Sequence, residues 1–147
     1  LGQDYAAVRT PDPAAFPVKA PKKAKPHRLG HAWWIERSDG QVWLVRRPDK
    51  GLLGGMRALP SSDWNAAPDA TPPFAAQWRT IDPPVAHVFT HFSLALSVHT
   101  THVGLDHVPD GAGEWWPRAR IGEAGLPTLF VRAADAAMKE LTDDARN

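Results

Sequence analysis

Hydrophobic and polar positions alternate most regularly in the segment 92–103. Over its first eight residues, Phe, Leu and Val side chains occupy every second position, and Ser, Ala and His lie between them. A period of two is typical of a β-strand with one buried face, so the pattern predicts a long strand. Residues 85–89 form a second hydrophobic run. We expect them to pair with the long strand, with Thr90 and His91 at the junction.

Two more strands are predicted at 31–38 and 41–47, on either side of Asp39-Gly40. An Asp-Gly pair between two hydrophobic runs is the strongest short signal for a β-hairpin, because both residues tolerate the backbone of a tight turn. A short strand is expected at 56–59. The first half of the folded region therefore consists mainly of strands.

The pattern changes to a helical period after Pro127, a residue type that is favoured at the start of a helix. Before it, residues 61–73 are rich in Ser, Asp, Ala and Pro, which predicts a loop, and residues 114–116 resemble the end of a last strand. Strands followed by a closing helix predict an α/β sandwich. The hydrophobic stripe of the helix consists of Phe130, Ala133, Ala134, Ala137 and Leu141.

Composition narrows the class of protein further. The chain has 147 residues, a formal net charge of +1 and no Cys. Its length suits one domain with a connector, and the missing Cys excludes disulfides, thiolate zinc sites and iron–sulfur clusters within the chain. No apolar run has the length of a membrane span, so we expect no membrane contact and a cytoplasmic location. Since the chain begins with Leu1, we expect it to be part of a longer protein.

The segment 10–30 is rich in proline and is predicted to be an extended linker after residues 1–9, which resemble the end of a helix. Its second half carries five cations and no acidic residue. Two interpretations remain open: an ordinary solvated linker, or a connector close to phosphates, where each cation releases a condensed counterion. The cations are Lys19, Lys22, Lys23, Lys25 and Arg28.

A glycine-rich segment follows the strand at 41–47. Glycines occupy three of five consecutive positions, so the backbone there is expected to adopt positive φ or to approach another group closely. The segment reads Arg46-Arg47-Pro48-Asp49-Lys50-Gly51-Leu52-Leu53-Gly54-Gly55-Met56.

This segment, followed in order by two further motifs, resembles the C-terminal domain of the A/G-specific adenine DNA glycosylases, the MutY family. The resemblance covers about residues 1–141. It implies a Nudix-like fold, a mixed β-sheet sandwiched by helices, with residues 31–147 as an 8-oxoguanine-recognition domain. Residues 1–30 would then be the end of an upstream domain and an extended Pro- and Lys-rich linker. The two further motifs are Val88-Phe89-Thr90-His91-Phe92 and Leu126-Pro127-Thr128-Leu129.

The family's loop reads Gly-Leu-Leu-Ala/Gly-Gly-Leu/Met followed by Trp-Glu-Phe-Pro. This chain keeps residues 51–56 and Pro60, but it has Arg-Ala-Leu in place of Trp-Glu-Phe. The resemblance implies that Arg47, Leu53 and Gly54 belong to the DNA interface.

Nudix hydrolases cleave nucleoside diphosphate derivatives with Mg²⁺ that a cluster of glutamates holds, because a hard divalent cation needs several oxygen ligands. Here no Glu occurs between Glu36 and Glu114. We therefore expect no hydrolysis of this kind, no catalytic residue and no metal site in this chain.

In the resembled family, a Phe-Ser/Thr-His loop approaches 8-oxoguanine. Oxidation turns guanine N7 into a donor and adds a carbonyl at C8, so a short hydroxyl that both donates and accepts suits this base. The resemblance implies that Thr90 reads the lesion and that Phe89 and His91 flank it. The alternative is structural: Thr90 as a β-branched strand residue, His91 as an ordinary histidine and Phe89 as a core residue.

Two other residue types invite a functional interpretation. Seven His could suggest a metal site, but His99 and His102 lie three positions apart in a strand and therefore point to opposite faces. Seven Trp include the pairs at 33–34 and 115–116, which should also divide between the two faces. For the tryptophans, a structural role is the simpler interpretation.

The sequence as a whole predicts the lesion-recognition part of an adenine DNA glycosylase. Its partners would be duplex DNA that contains adenine opposite 8-oxoguanine and its own N-terminal catalytic domain, at a nucleoid-associated location in the cytoplasm. That domain flips out and excises the adenine, and in this family it usually carries a 4Fe–4S cluster. Here Tyr5 would occupy one cluster-ligand position. The alternative is a Nudix-like protein-interaction module without catalytic activity.

Overall fold

The computed structural model describes residues 25–146, and the side chains of residues 25–141. The N-terminal predictions, which include Tyr5, Lys19, Lys22 and Lys23, lie outside the described residues. In chain order the elements are strands β1 (His27–Arg37), β2 (Gln41–Arg46), β3 (Arg57–Ala58), β4 (Arg79–Thr80), β5 (Val85–Val88), β6 (Ser93–Val103) and β7 (Glu114–Pro117), a 3₁₀-helix (Arg118–Glu123) and helix α1 (Thr128–Arg146).

The seven strands form one mixed sheet around the central pair β1 and β6. These two run parallel over eleven residues each, from the pair His27 and Ser93 to the pair Arg37 and Val103. The other pairings are antiparallel: β2 pairs with β1, β3 and β7 both pair with β2, and β4 and β5 both pair with β6. The predicted α/β fold with a mixed sheet is confirmed.

The first strand begins earlier than predicted. Residues 27–30, which the proline content assigned to the linker, lie in β1 because they pair with the start of β6. Proline-rich sequence upstream does not prevent this, since Pro26 precedes the strand and its carbonyl accepts a hydrogen bond from Ser93. The linker prediction was therefore wrong for these four residues.

One face of the sheet, the helix face, packs against α1. Trp34 of β1 and alternate residues of β6 are buried here, as the period of two predicted. The helix presents its predicted stripe: Leu141 is half-buried, and four stripe residues are fully buried. Those four are Phe130, Ala133, Ala134 and Ala137. The carbonyl of Pro127 accepts the hydrogen bond from Val131 in the first turn.

The opposite face, the loop face, is covered without a helix in the described part of the chain. Trp33, Ile35 and Trp43 are buried there in a separate cluster. Phe74 and Trp78, from the irregular segment before β4, pack over them. Each Trp pair divides between the two faces, as predicted, but both members of the first pair are buried.

Candidate functional site

The glycine-rich segment is a tight loop between β2 and β3. Gly51 and Gly55 have φ values of 100° and 72°, in the left-handed region. Gly54 has a different requirement, because a Cβ there would lie 2.3 Å from the carbonyl oxygen of Asp49. Both predicted reasons for glycine are therefore present. Leu53 also adopts a positive φ of 59°, and its side chain packs against the helix-face core.

Arg47 connects this loop to the body of the domain. Its Nε donates a hydrogen bond to the carbonyl of Leu52 at 3.3 Å, and its Nη1 lies 3.5 Å from Oγ of Ser61. The guanidinium also lies 4.5 Å from the ring centroid of Trp64. Partial burial lowers the pKa of Arg47, while the nearby charge of Asp63 opposes this shift.

Trp64 is the central residue that sequence reasoning missed. Its ring is stacked on Phe89 at 5.9 Å and lies 6.5 Å from Phe92, and it passes close over Gly30 of β1. A Cβ at Gly30 would lie 2.5 Å from the indole, so only glycine leaves room for it. The isolated glycine inside a strand was the available signal, because it indicates close approach of another group.

The segment that carries Trp64 is fixed by backbone pairing with β1. Leu29 and Asn65 exchange two hydrogen bonds, and the Ser62 amide donates to the carbonyl of His31. Trp33 donates in the same way to the carbonyl of Pro60. The predicted loop at 61–73 therefore starts as a strand-like segment beside β1, which holds the indole in place.

The Phe-Thr-His motif forms the turn between β5 and β6. The amide of Phe89 donates to the carbonyl of Phe92 at 2.8 Å, which leaves Thr90 and His91 exposed at the tip. Phe89 is half-buried against Trp64 and Phe92. The structural alternative for Thr90, a strand residue, is wrong, because the residue lies in the turn outside both strands.

Two of the predicted cations lie beside this turn. The guanidinium of Arg28 lies 4.2 Å from the ring centroid of Phe92, and Nζ of Lys25 donates to the carbonyl of Phe89 at 3.2 Å. We call the rings of Trp64, Phe89 and Phe92 the aromatic rim. A cavity of about 370 Å³ opens next to it, and Arg28, Arg47, Ser61, Ser62 and Trp64 contribute to its lining.

The structure thus brings most of the candidate residues into one region. Arg47 and Phe89 both contact Trp64, and Thr90 and His91 extend from the rim into solvent. Leu53 and Gly54 lie in the neighbouring glycine-rich loop, where both are half-buried; their place at a DNA interface stays a prediction.

Comparison with known proteins identifies the fold. Residues 31–136 match the sequence pattern of the NUDIX domain. The chain belongs to the NUDIX domain family. No curated protein sequence matches it. Among solved structures, it is similar to the C-terminal domain of mouse MUTYH in complex with human PCNA, with 18% identity, a TM-score of 0.59 and coverage of 78% of this chain and 90% of that one.

Other structural neighbours are NUDIX proteins with different descriptions. The MutT protein from Methanosarcina mazei Go1 has 17% identity, a TM-score of 0.57 and coverage of 79% of this chain and 96% of that one. The NUDIX domain of Shewanella oneidensis NrtR, complexed with ADP ribose, has 15% identity, a TM-score of 0.56 and coverage of 84% and 94%. At these identities the neighbours establish the fold alone.

Two glutamates of this NUDIX domain, Glu36 and Glu114, are engaged in contacts within the fold. Glu36 accepts hydrogen bonds from Trp34 and Arg118, and Glu114 pairs with Arg57 at 3.0 Å. Among the side chains that the structure describes, those of residues 25–141, no three His, Asp or Glu groups converge as a metal ion would require. In the same part of the chain, no helix is both long enough and apolar enough to cross a bilayer.

Arg57 stands where the resembled family has Trp. Besides its pair with Glu114, it donates to the carbonyl of Ala124 at 3.1 Å and lies 4.6 Å from the ring centroid of Trp116. It therefore links β3 to β7 and to the end of the 3₁₀-helix, so its position is structural.

A pair of histidines on the loop face was also missed. Nδ1 of His31 lies 2.9 Å from Nε2 of His99, and Nδ1 of His99 lies 2.8 Å from Oγ1 of Thr80. Burial, together with the neighbouring His31, lowers the pKa of His99. The pairing joins adjacent parallel strands, so it needed the β1–β6 register, which the sequence did not reveal.

Proposed function

We propose that this NUDIX domain recognises 8-oxoguanine in duplex DNA, as the C-terminal part of an adenine DNA glycosylase that removes adenine opposite the lesion. The observation that carries the proposal is the exposed Thr90-His91 turn, which rests on the aromatic rim and is flanked by Arg28 and Lys25. The similarity of fold to the mouse MUTYH C-terminal domain supports it.

The reading step uses the hydroxyl of Thr90. It can accept a hydrogen bond from N7–H of 8-oxoguanine or donate one to O8, whereas plain guanine has an acceptor at N7 and no O8. Thr90 discriminates by about 1–3 kcal/mol when its hydroxyl accepts from N7–H or donates to O8, since plain guanine offers only the N7 acceptor at these two positions. Phe89 fixes the turn against Trp64, and His91 is the second exposed side chain at the tip.

The cations around the rim would bind the DNA backbone. Arg28 and Arg47 are both oriented by ring contacts, and Lys25 by a backbone carbonyl. Each phosphate contact contributes to an affinity that falls as salt rises. The cations further upstream, Lys19, Lys22 and Lys23, would extend this contact along the connector.

Excision belongs to a separate N-terminal domain in this proposal. The chain would supply duplex binding and lesion discrimination, and tethering would raise the effective concentration of each part for the other. The iron–sulfur cluster of the resembled family, with Tyr5 at one ligand position, and a nucleoid location in the cytoplasm belong to the same proposal.

The test compares Thr90→Ala with Thr90→Ser in the full-length glycosylase. The measurement is the rate of adenine release opposite 8-oxoguanine and opposite guanine. We expect Thr90→Ala to lower the ratio of the two rates by about 5- to 150-fold, as the loss of one such contact predicts. Thr90→Ser keeps the hydroxyl and should keep the ratio. An unchanged ratio in Thr90→Ala, or an equal loss in both variants, would refute the proposal.

A second candidate is a protein-interaction module, favoured by the fact that the mouse MUTYH domain of similar fold was crystallised in complex with human PCNA. The two candidates differ in what precedes the domain. A helical glycosylase domain upstream of this chain supports lesion recognition, whereas its absence from the gene supports the interaction module.

A further inference from the structure

Residues 25–28, which we call the entry segment, pass beside the turn 89–92, which we call the reading turn. Nζ of Lys25 donates to the carbonyl of Phe89 at 3.2 Å, and the carbonyl of Pro26 accepts a hydrogen bond from the amide of Ser93 at 3.0 Å. Lys25 thus holds the residue before the tip of the turn, and Pro26 holds the residue after the turn.

The next two residues of the entry segment contact the same region. Nδ1 of His27 lies 2.8 Å from Oγ of Ser93, which is hydrogen-bond distance, and the guanidinium of Arg28 lies 4.2 Å from the ring centroid of Phe92. His27 and Ser93 are also the first register pair of β1 and β6, so the parallel ladder extends to the turn. All four consecutive residues of the entry segment therefore contact the reading turn or the residue that follows it.

These contacts enclose the tip of the turn without covering it. Thr90 and His91 are exposed, while the residues on either side of them bind the entry segment. The side chains of Lys25, His27 and Arg28 are themselves exposed, so they add little to the hydrophobic core. Their contacts therefore bear more on the shape of the turn than on the stability of the domain.

We infer that the entry segment is a positioning element of the reading turn: it fixes the backbone on both sides of Thr90 and thereby sets the discrimination between 8-oxoguanine and guanine, without touching the base itself. The inference rests on the proposed function. Hydrogen bonds weaken steeply as their angle departs from linear, so a hydroxyl that reads one atom of a base needs a turn of fixed shape. Packing against Trp64 anchors the ring of Phe89, and the entry segment adds partners for the backbone beside it.

Ser93 offers a test that changes no charge. Ser93→Ala removes the hydroxyl that contacts His27, and Ser93→Thr keeps a hydroxyl there. Ser97→Ala is the matched control, since Ser97 lies in the same strand, is half-buried like Ser93 and pairs with His31 of β1 farther from the turn. The variants are made in the full-length glycosylase, and the rate of adenine release opposite 8-oxoguanine is compared with the rate opposite guanine.

We expect Ser93→Ala to lower the ratio of the two rates by about 2- to 10-fold, the range that one ordinary hydrogen bond spans. Ser93→Thr and Ser97→Ala should keep the ratio. Lys25→Met, which removes the donor to Phe89, should lower the ratio by a similar factor, and Lys25→Arg, which keeps a donor and the charge, should keep it. Urea unfolding should be nearly the same for all these variants, so that partial unfolding does not explain a lower ratio.

Amide hydrogen exchange supplies a measurement that needs no DNA. The amide of Phe89 donates a hydrogen bond within the turn, and it should exchange faster in Ser93→Ala than in Ser97→Ala. Equal exchange in these two variants would overturn the inference and leave the proposed function intact. The same holds if Ser93→Ala and Lys25→Met keep the rate ratio while Thr90→Ala lowers it. An unchanged ratio in Thr90→Ala would instead remove the proposed function, and the inference with it.

Discussion

The two faces of the sheet are closed in different ways. On the helix face, α1 covers aliphatic residues of β1 and β6 with a continuous stripe of its own, and many of these side chains are fully buried. On the loop face, irregular segments cover Trp33, Ile35 and Trp43, and the covering side chains Phe74 and Trp78 are only half-buried. The helix face is therefore the more tightly packed side of the sheet.

The aromatic rim belongs to the first of these regions. Trp64 and Phe89 both pack against the helix-face core, and Trp64 lies 6.3 Å from Phe130 of α1. The proposed reading turn thus rests on the more tightly packed side of the domain. A turn held this way loses little conformational entropy when it meets a base.

The largest expected effect tests the difference in packing between the helix face and the loop face. Phe130→Ala removes a fully buried ring from the helix face and should lower the free energy of unfolding by about 3–5 kcal/mol. Phe74→Ala removes the same ring from the loop face, where it is only half-buried, and should cost clearly less. Urea unfolding of both variants measures the difference. Equal losses would mean that the loop face is packed as tightly as the helix face.

The next effect concerns the glycine-rich loop. Gly54→Ala would bring a Cβ to 2.3 Å from the backbone oxygen of Asp49, so the loop must shift, and we expect a loss of about 1–3 kcal/mol. Gly122→Ala is the matched control, because a Cβ there meets nothing within 4 Å. Thermal unfolding of the two variants should separate them; a neutral Gly54→Ala would show that the loop tolerates rearrangement.

Much of this architecture follows from local pattern. The alternation in β6, the Asp39-Gly40 turn and the stripe of α1 each depend on neighbours in sequence, and each prediction is confirmed. The reasons for the three glycines of the loop were also predicted, since positive φ and close approach to another group are what glycine permits.

The site was harder to predict because its contacts join distant segments. Trp64 meets Gly30 and Phe89 only after the segment 60–65 pairs with β1, and His31 meets His99 only through the parallel register of β1 and β6. A single sequence contains no direct signal for such pairings. The early start of β1 has the same origin, since its pairing with β6 outweighs the proline-rich sequence before it.

A smaller effect is expected at Arg47, where shape matters as well as charge. Arg47→Lys keeps the positive charge but removes the planar contact with Trp64, which is worth about 0.5–1 kcal/mol. We expect the affinity for duplex DNA to fall by a few-fold, measured by fluorescence anisotropy at fixed salt. Arg46→Lys is the control, because the guanidinium of Arg46 donates to the carbonyl of Gly55 at 2.9 Å instead. If Arg47→Lys binds DNA as tightly as the unchanged chain, charge alone explains the contact; an equal loss in both variants would show that the contact with Trp64 is not the cause.

The smallest expected effect is a pH dependence on the loop face. The pKa of His99 is lowered by burial and by the neighbouring His31, so the unfolded chain binds a proton more readily than the folded one. The corresponding stability is present above the ordinary histidine pKa of about 6.5 and is lost as the pH falls through it towards the lower folded pKa. We expect the free energy of unfolding to decrease between about pH 7 and pH 5, and His99→Gln to reduce that decrease.

The pKa of His87 is lowered in the same direction by burial and by Arg132, so part of the slope should persist in His99→Gln and disappear only when His87→Gln is added. If the free energy of unfolding depends on pH equally in His99→Gln and in the unchanged chain, the prediction is contradicted. Other groups would then account for the pH dependence, and protonation of the His31–His99 pair would not destabilise the fold.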